Sequence, residues 1–82
     1  MQAEERVRDF LIEETHWERS REDLTDDLPV IADRVIDSMM LLRLVAWLED
    51  EFSISIDHAE VVPANFGTIG QIARLVERKR AA

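Results

Sequence analysis

Residues 35–42 read VIDSMMLL, and here an acidic stretch without helical periodicity gives way to an apolar helical run. Asp and Ser are favoured at helix N-termini because their side-chain oxygens accept hydrogen bonds from first-turn amides that have no partner inside the helix. The pair Asp37-Ser38 therefore predicts a helix entrance, with Ser38 at the surface and its hydroxyl near the positive end of the helix dipole. An attached anion, such as a phosphodiester, is stabilised at such a position.

The helix that starts at this point is predicted to span residues 38–52. A core-facing stripe follows the spacing i, i+3, i+4, i+7, i+11 and contains Leu41, Leu44, Val45, Leu48 and Phe52. A second apolar set falls outside the stripe: Met39, Met40, Leu42, Ala46 and Trp47. A helix that is apolar on nearly all sides must bury two faces. We therefore predict a partner-binding face formed by Met39, Met40, Arg43 and Trp47. The alternative is that Trp17 and the preceding loop cover Trp47.

Two segments precede this helix. A first helix over about residues 2–15 is predicted by the helical spacing of Ala3, Val7, Phe10 and Leu11. About twenty residues rich in Asp follow and predict a long loop, which is unusual in a compact domain unless it has a function. We expect this loop to be ordered, with a short helical turn at 21–24, because five apolar residues can hold it on the core: Trp17, Leu24, Leu28, Val30 and Ile31.

After the central helix, residues 53–56 (SISI) alternate like a strand but have no partner strand, so we expect an extended link that inserts Ile54 or Ile56 into the core. Residues 57–60 (DHAE) have the spacing of a capping box and predict a short third helix that ends at about Val62.

Residues 63–67 (PANFG) are rich in helix breakers and predict a loop. A last helix is predicted from the second capping box at 68–71, with an inward face of Ile69, Ile72, Ala73 and Val76. The fold class is therefore all-α: a small four-helix bundle of three principal helices and one short helix, with a long first loop, in a single domain over residues 1–82.

The length and the charge of the chain limit the kinds of function that it can have. A chain of 82 residues forms one small domain that buries only about 60% of its unfolded surface, so we expect no cleft of enzyme size. Residues 22–60 contain eleven acids and two bases, a charge of -9, while the total of -8 leaves +1 for the two ends together. Such a field repels nucleic acid and steers basic protein partners.

Several site chemistries are disfavoured. Without Cys the chain has no disulfide, no zinc-thiolate site and no Cys nucleophile. The acids of 23–37 lack the spacing of a calcium loop, and no nucleophile elbow supports a hydrolase built from Ser38, His16 and His58. We expect both histidines to be surface or capping residues, and we expect no metal site and no catalytic activity. No signal peptide or membrane-spanning run is evident, so we expect a cytosolic monomer that binds no membrane.

Three segments carry a family resemblance: DSM at 37–39, LEDEFSISI at 48–56, and the start of the last helix at Thr68-Ile69. Over about residues 24–76 the chain resembles the acyl carrier and peptidyl carrier proteins, four-helix domains that carry 4'-phosphopantetheine on the Ser of an Asp-Ser-Leu-like motif. The resemblance implies that Ser38 is the attachment point and that Asp37 helps to position metal and cofactor during attachment. From spacing alone, Asp37-Ser38 could merely cap a helix.

Within that family, VIDSM at 35–39 and VPANFGTI at 62–69 look most like discrete carriers of natural-product pathways. The chain departs from the fatty-acid carrier pattern: it lacks the common Gly at 34–35 and at Ser53, and Met40, Arg43 and Trp47 stand where acidic or small residues are usual. These departures imply partners other than those of fatty-acid synthesis.

The resemblance implies a freestanding carrier that holds an acyl or aminoacyl intermediate as a thioester. Because the chain has no Cys, the thiol of that thioester must come from an attached arm. The implied partners are a phosphopantetheinyl transferase, a loading ligase and downstream synthase or transferase enzymes, and we predict an aminoacyl or short, polar acyl cargo. The alternative function is a non-covalent, acidic helical adaptor that binds its partner through the second helix.

Overall fold

A computed structural model describes residues 2–81. Within these residues, four α-helices follow one another: α1 (Gln2–Glu14), α2 (Ser38–Phe52), α3 (Pro63–Phe66) and α4 (Ile69–Ala81). Two single 3-10 turns, Arg21–Asp23 and His58–Glu60, lie in the connections. No strand occurs between residues 2 and 81, so residues 53–56 form a link, as predicted. The all-α fold with three principal helices and one short helix is confirmed.

The bounds of α2 agree with the sequence prediction at both ends, but the segment before α4 does not. Residues 63–67 were expected to be a loop, and Pro63–Phe66 instead forms the short helix α3. The predicted helix at 57–62 is only the 3-10 turn His58–Glu60, although its capping box is present. Pro63 stands at the first position of α3, where the missing amide hydrogen is no loss, and Phe66 is fully buried.

The core lies where α1, α2 and α3 each pack against α4. Its buried residues come from every helix and from the first loop: Ala3, Val7, Leu11, Leu24, Val30, Ile36, Leu44, Leu48, Phe52, Phe66, Ile69, Ile72, Ala73, Leu75 and Val76. The predicted inward face of α4 is confirmed, and Leu75 joins it. Ile54 and Ile56 both pack against this core.

Arg8 fastens the long first loop to α1. The residue is 9% exposed, and its Nε donates a hydrogen bond to the Leu24 carbonyl at 2.8 Å. It also forms ion pairs with Glu5 at 2.9 Å and with Asp26. The Asp26 carbonyl in turn accepts from the Gly70 amide at 2.9 Å, so the loop also contacts the start of α4. The loop is therefore ordered, as expected, with Leu24 and Val30 fully buried.

The turn His58–Glu60 is held against α4 by one carboxylate. Glu60 accepts a hydrogen bond from Lys79 Nζ at 2.6 Å and another from the Asp57 amide at 2.9 Å. These two bonds, chiefly the first, lower the pKa of Glu60 below its usual value. Within the described part of the chain, no helix has the length and apolar character that crossing a membrane requires.

Candidate functional site at the start of α2

Asp37 caps α2 and thereby leaves the next side chain free. Its backbone is extended, and its Oδ1 accepts a hydrogen bond from the Met40 amide at 2.8 Å. The Asp37 carbonyl accepts the first intrahelical bond, from the Leu41 amide at 2.8 Å. Ser38 is the first residue of the helix and is exposed. Because Asp37 makes the cap bond, the Ser38 hydroxyl is not needed to satisfy the helix end.

The turn before α2 fixes where Ser38 stands. The Val30 carbonyl accepts from two amides, that of Val35 at 2.9 Å and that of Ile36 at 3.1 Å. The Val30 amide donates to the Gly67 carbonyl at 2.9 Å, which joins this turn to the end of α3. Val30 and Ile36 are both buried. The exposed Ser38 is therefore presented from a well-anchored backbone.

A surface cavity of about 380 Å³ adjoins the serine. It is lined by Ile31, Arg34, Ile36, Asp37, Ser38 and Leu41. Three of these side chains are aliphatic, Arg34 is a cation, and the acid Asp37 has its Oδ1 engaged by the Met40 amide. The cavity can therefore accept an apolar segment that carries an anion beside Arg34. This donor set fits a phosphodiester-linked alkyl arm attached to the serine hydroxyl.

The residues predicted to bind a partner do not all lie on one exposed surface. Met39 is exposed beside Ser38, whereas Met40 is half-buried against the core. Arg43 is exposed but forms an ion pair with Glu14 of α1. Trp47 is half-buried and stacks on Phe10 of α1, with ring centroids 4.5 Å apart. Trp47 is thus covered in part by α1, and a partner-binding role for these four residues stays a prediction.

Leu42 was missed as a candidate for partner contact. Leu42 is 64% exposed and Met39 is 71% exposed, which makes them the two most exposed large apolar residues of the described chain. Ala46, also exposed, continues the same i, i+3, i+7 spacing. That spacing was visible in the sequence, but it could not show which of the two apolar sides of α2 stays open to solvent.

The two histidines and the acids were the other candidates for a metal site in the sequence. His16 and His58 are both exposed, as expected for surface residues. Among residues 2–81, no group of three or more His, Asp or Glu side chains is placed to hold a metal ion.

The family model for the phosphopantetheine attachment site matches residues 5–76 of the chain. The chain belongs to the phosphopantetheine-binding carrier family. The match begins within α1 and so extends further towards the N-terminus than the resemblance at 24–76 suggested. A curated relative, the probable acyl carrier protein PigG of Serratia sp. (strain ATCC 39006), is 33% identical over 61 residues, which cover 74% of this chain and 70% of the relative.

Family membership establishes the cofactor and the general role. The cofactor of this phosphopantetheine-binding carrier is covalently attached 4'-phosphopantetheine, whose terminal thiol supplies the thioester chemistry. Carriers of this kind interact with phosphopantetheinyl transferases and with biosynthetic enzymes, and the family generally has no catalytic activity of its own. The cavity beside Ser38 and the uncommitted serine hydroxyl are consistent with that role.

Proposed function

We propose that the chain is a freestanding carrier that holds an acyl or aminoacyl intermediate on an arm attached to Ser38 Oγ. The observation that supports this most directly is that the first turn of α2 is capped by one residue while the next residue keeps its hydroxyl exposed. Asp37 caps the helix, and Ser38 stands exposed at the first helical position inside the family match. In the attachment step, the Ser38 hydroxyl loses its proton and displaces adenosine 3',5'-bisphosphate from coenzyme A, so that one oxygen–phosphorus bond forms as another breaks.

The chain's own residues favour the product of this step. The positive end of the α2 dipole lies at Ser38 and stabilises an anion attached there, typically by about 0.3–1 kcal/mol. The Asp37 cap bond uses Oδ1, so the carboxylate would keep its other oxygen free to help hold the metal ion that the transferase uses. We assign Asp37 a positioning role during attachment, as the resemblance to the family's motif implies, and its place at the cap next to Ser38 is compatible with that role.

The test is intact-mass measurement of the full chain after incubation with coenzyme A, Mg²⁺ and a broad-specificity phosphopantetheinyl transferase. The wild type should gain one arm, and Ser38→Ala should gain none while keeping its helical circular dichroism. Ser55→Ala is the matched control, because Ser55 is also an exposed serine near one end of α2, and it should be modified like the wild type. If Ser38→Ala still gains the arm, the assignment is wrong. If several transferases leave the wild type unchanged, the non-covalent adaptor replaces the carrier.

We propose a natural-product pathway and an aminoacyl or short, polar acyl cargo. This proposal rests on the resemblance of segments 35–39 and 62–69 to discrete carriers, and the probable acyl carrier protein PigG is a relative compatible with it. Loading of the modified chain by panels of ligases with amino acids and short acids should yield a thioester, detectable as a second mass increase that hydroxylamine reverses. Efficient elongation to long chains by a fatty-acid synthase would contradict the proposal.

A further inference from the structure

Arg34 is a cation in the most acidic part of the chain, and it has no ion-pair partner among residues 2–81. Residues 22–60 contain eleven acids and only two bases, Arg34 and Arg43. Arg43 forms an ion pair with Glu14 of α1. Arg34 is exposed, and within residues 2–81 it forms no ion pair. Its guanidinium group is therefore available to an anion that the described chain does not itself provide.

The backbone holds Arg34 in a fixed and uncommon conformation. Its φ of 60° lies in the left-handed region, which side-chain-bearing residues rarely adopt. The Arg34 amide donates to the Ile31 carbonyl at 3.0 Å, and the flanking amide of Asp33 donates to the Pro29 carbonyl at 2.8 Å. The Arg34 side chain therefore leaves a tight hydrogen-bonded turn rather than a loose loop.

This turn places Arg34 on the wall of the cavity that adjoins Ser38. The acid on the same wall is Asp37, and its Oδ1 is already engaged by the Met40 amide. The remaining wall is aliphatic and consists of Ile31, Ile36 and Leu41. A planar guanidinium group is well suited to bind two phosphate oxygens at once, and it is more weakly hydrated than an ammonium group.

The arm has matching chemistry at its attached end, where an anionic phosphodiester is followed by a pantoyl unit with two methyl groups. We infer that Arg34 binds the phosphodiester on Ser38 and that Ile31, Ile36 and Leu41 hold the adjoining pantoyl methyl groups. This inference rests on the proposed attachment at Ser38. Under this inference, Arg34 is a positioning residue. It holds the attached, phosphodiester end of the arm on the loop side of α2, while the thiol end stays free to reach partner enzymes.

The experiment uses the modified full chain, with complete modification first verified by intact mass. Nuclear Overhauser contacts between the pantoyl methyl groups and the methyl groups of Ile31 or Leu41, together with the ³¹P shift of the phosphodiester, report the position of the arm. Arg34→Gln removes the charge but keeps a β-carbon in the same turn. We expect it to lose the contacts and to shift the ³¹P signal. Arg43→Gln, the other base of this stretch, should leave both unchanged, and Arg34→Lys should keep part of both.

The outcomes separate the two proposals. A wild type that never acquires the arm overturns the proposed function, and the inference with it. A wild type that acquires the arm but shows no contact with the cavity overturns the inference alone. So does an Arg34→Gln chain, folded by circular dichroism, that keeps the contacts and the ³¹P shift of the wild type. Equal effects of Arg34→Gln and Arg43→Gln would mean that the loss of any positive charge in this stretch moves the arm. That result would also overturn the inference.

Discussion

Ser53 ends α2 in a conformation that suits glycine better than serine. Its φ and ψ are 55° and 49°, in the left-handed region, and its amide donates to the Glu49 carbonyl. Helices commonly end in this way, and the residue at this position is usually Gly because a β-carbon there approaches the following carbonyl oxygen. The sequence departs from the family's common Gly here, and the structure shows that the backbone keeps the geometry that Gly would favour.

We predict that Ser53→Gly stabilises the protein. Relief of the left-handed strain should raise the free energy of unfolding by about 1 kcal/mol, because the strain of about 1–2 kcal/mol is offset in part by the greater freedom of Gly in the unfolded chain. For a domain of this size, that corresponds to a Tm increase of roughly 4–8 °C. Thermal and urea unfolding measure it. Ser55→Gly is the control, since Ser55 is exposed in the link after α2 and should gain nothing. A Ser53→Gly chain no more stable than the wild type would show that the αL strain does not exceed the entropic cost of Gly in the unfolded chain, which contradicts the prediction.

Trp47 shows which part of the site the sequence could not predict. The cap at Asp37, the exposed Ser38 and the bounds of α2 all follow from local rules of capping and periodicity. The contact of Trp47 with Phe10 does not, because it depends on how α1 and α2 lie relative to each other. Its second aromatic neighbour, Phe52, meets it edge-on at 5.9 Å. The cavity beside Ser38 likewise depends on a turn closed by Val30, which periodicity does not show.

The two sides of α2 have different surroundings. The side of Arg43 and Trp47 contacts α1, through the ion pair with Glu14 and the stack on Phe10. The side of Met39, Leu42 and Ala46 faces solvent and begins next to Ser38. A partner that receives the arm must dock near its root, and an exposed apolar stripe at that place is suited to such contact. We therefore propose that the docking face is centred on Met39 and Leu42.

A double variant tests whether partners dock on the side of Met39 and Leu42 or on the side of Trp47, which was predicted from the sequence. Met39→Ala/Leu42→Ala should weaken loading by the cognate partner roughly tenfold, since about 1.4 kcal/mol corresponds to a factor of ten, with Tm unchanged. Trp47→Ala should instead lower Tm, because it removes the stack on Phe10. The measurements are KM of loading and thermal unfolding. The proposal is wrong if the double variant loads normally while a stably folded Trp47→Ala chain loads poorly. That result would show that partners dock on the side of Trp47.

The short helix α3 illustrates a different limit of local rules. Four residues are too few for a helix to form by its own propensity, since nucleation alone is unfavourable. Here Phe66 is fully buried, the Gly67 amide donates to the Pro63 carbonyl at 2.8 Å, and α3 packs on α4. Tertiary burial thus makes a helix of a segment whose Pro, Asn and Gly predict a loop. By contrast, α4 was predicted correctly because its capping residue Thr68 and its inward stripe are both local signals.

Acidic and basic residues are concentrated in different parts of the chain, and this separation affects how partner enzymes approach. Internal ion pairs neutralise several acids of residues 22–60: Asp23 with Arg19, Asp26 with Arg8, Glu51 with Arg6 and Glu60 with Lys79. Other acids of this stretch, such as Asp50 on α2, are exposed. The bases cluster instead at the end of α4, at 78–80. Residues 22–60, the stretch that contains Ser38, therefore carry a formal charge of -9 and create a negative field that acts on an approaching enzyme.

We predict that this field accelerates the encounter with the phosphopantetheinyl transferase and that salt suppresses it. Steering by long-range charge weakens as the Debye length falls from about 10 Å at 0.1 M to about 3 Å at 1 M salt. Raising ionic strength from about 0.05 M to about 0.5 M should lower kcat/KM of modification roughly tenfold while kcat changes little. Two charge-neutralising variants localise the effect, because each removes one exposed acid. Asp50→Asn lies in the acidic stretch and should lower kcat/KM at low salt, whereas Glu77→Gln lies on the basic end of α4 and should not. A rate independent of salt, or equal effects of the two variants, would mean that partner recognition is carried by the apolar stripe of α2 alone.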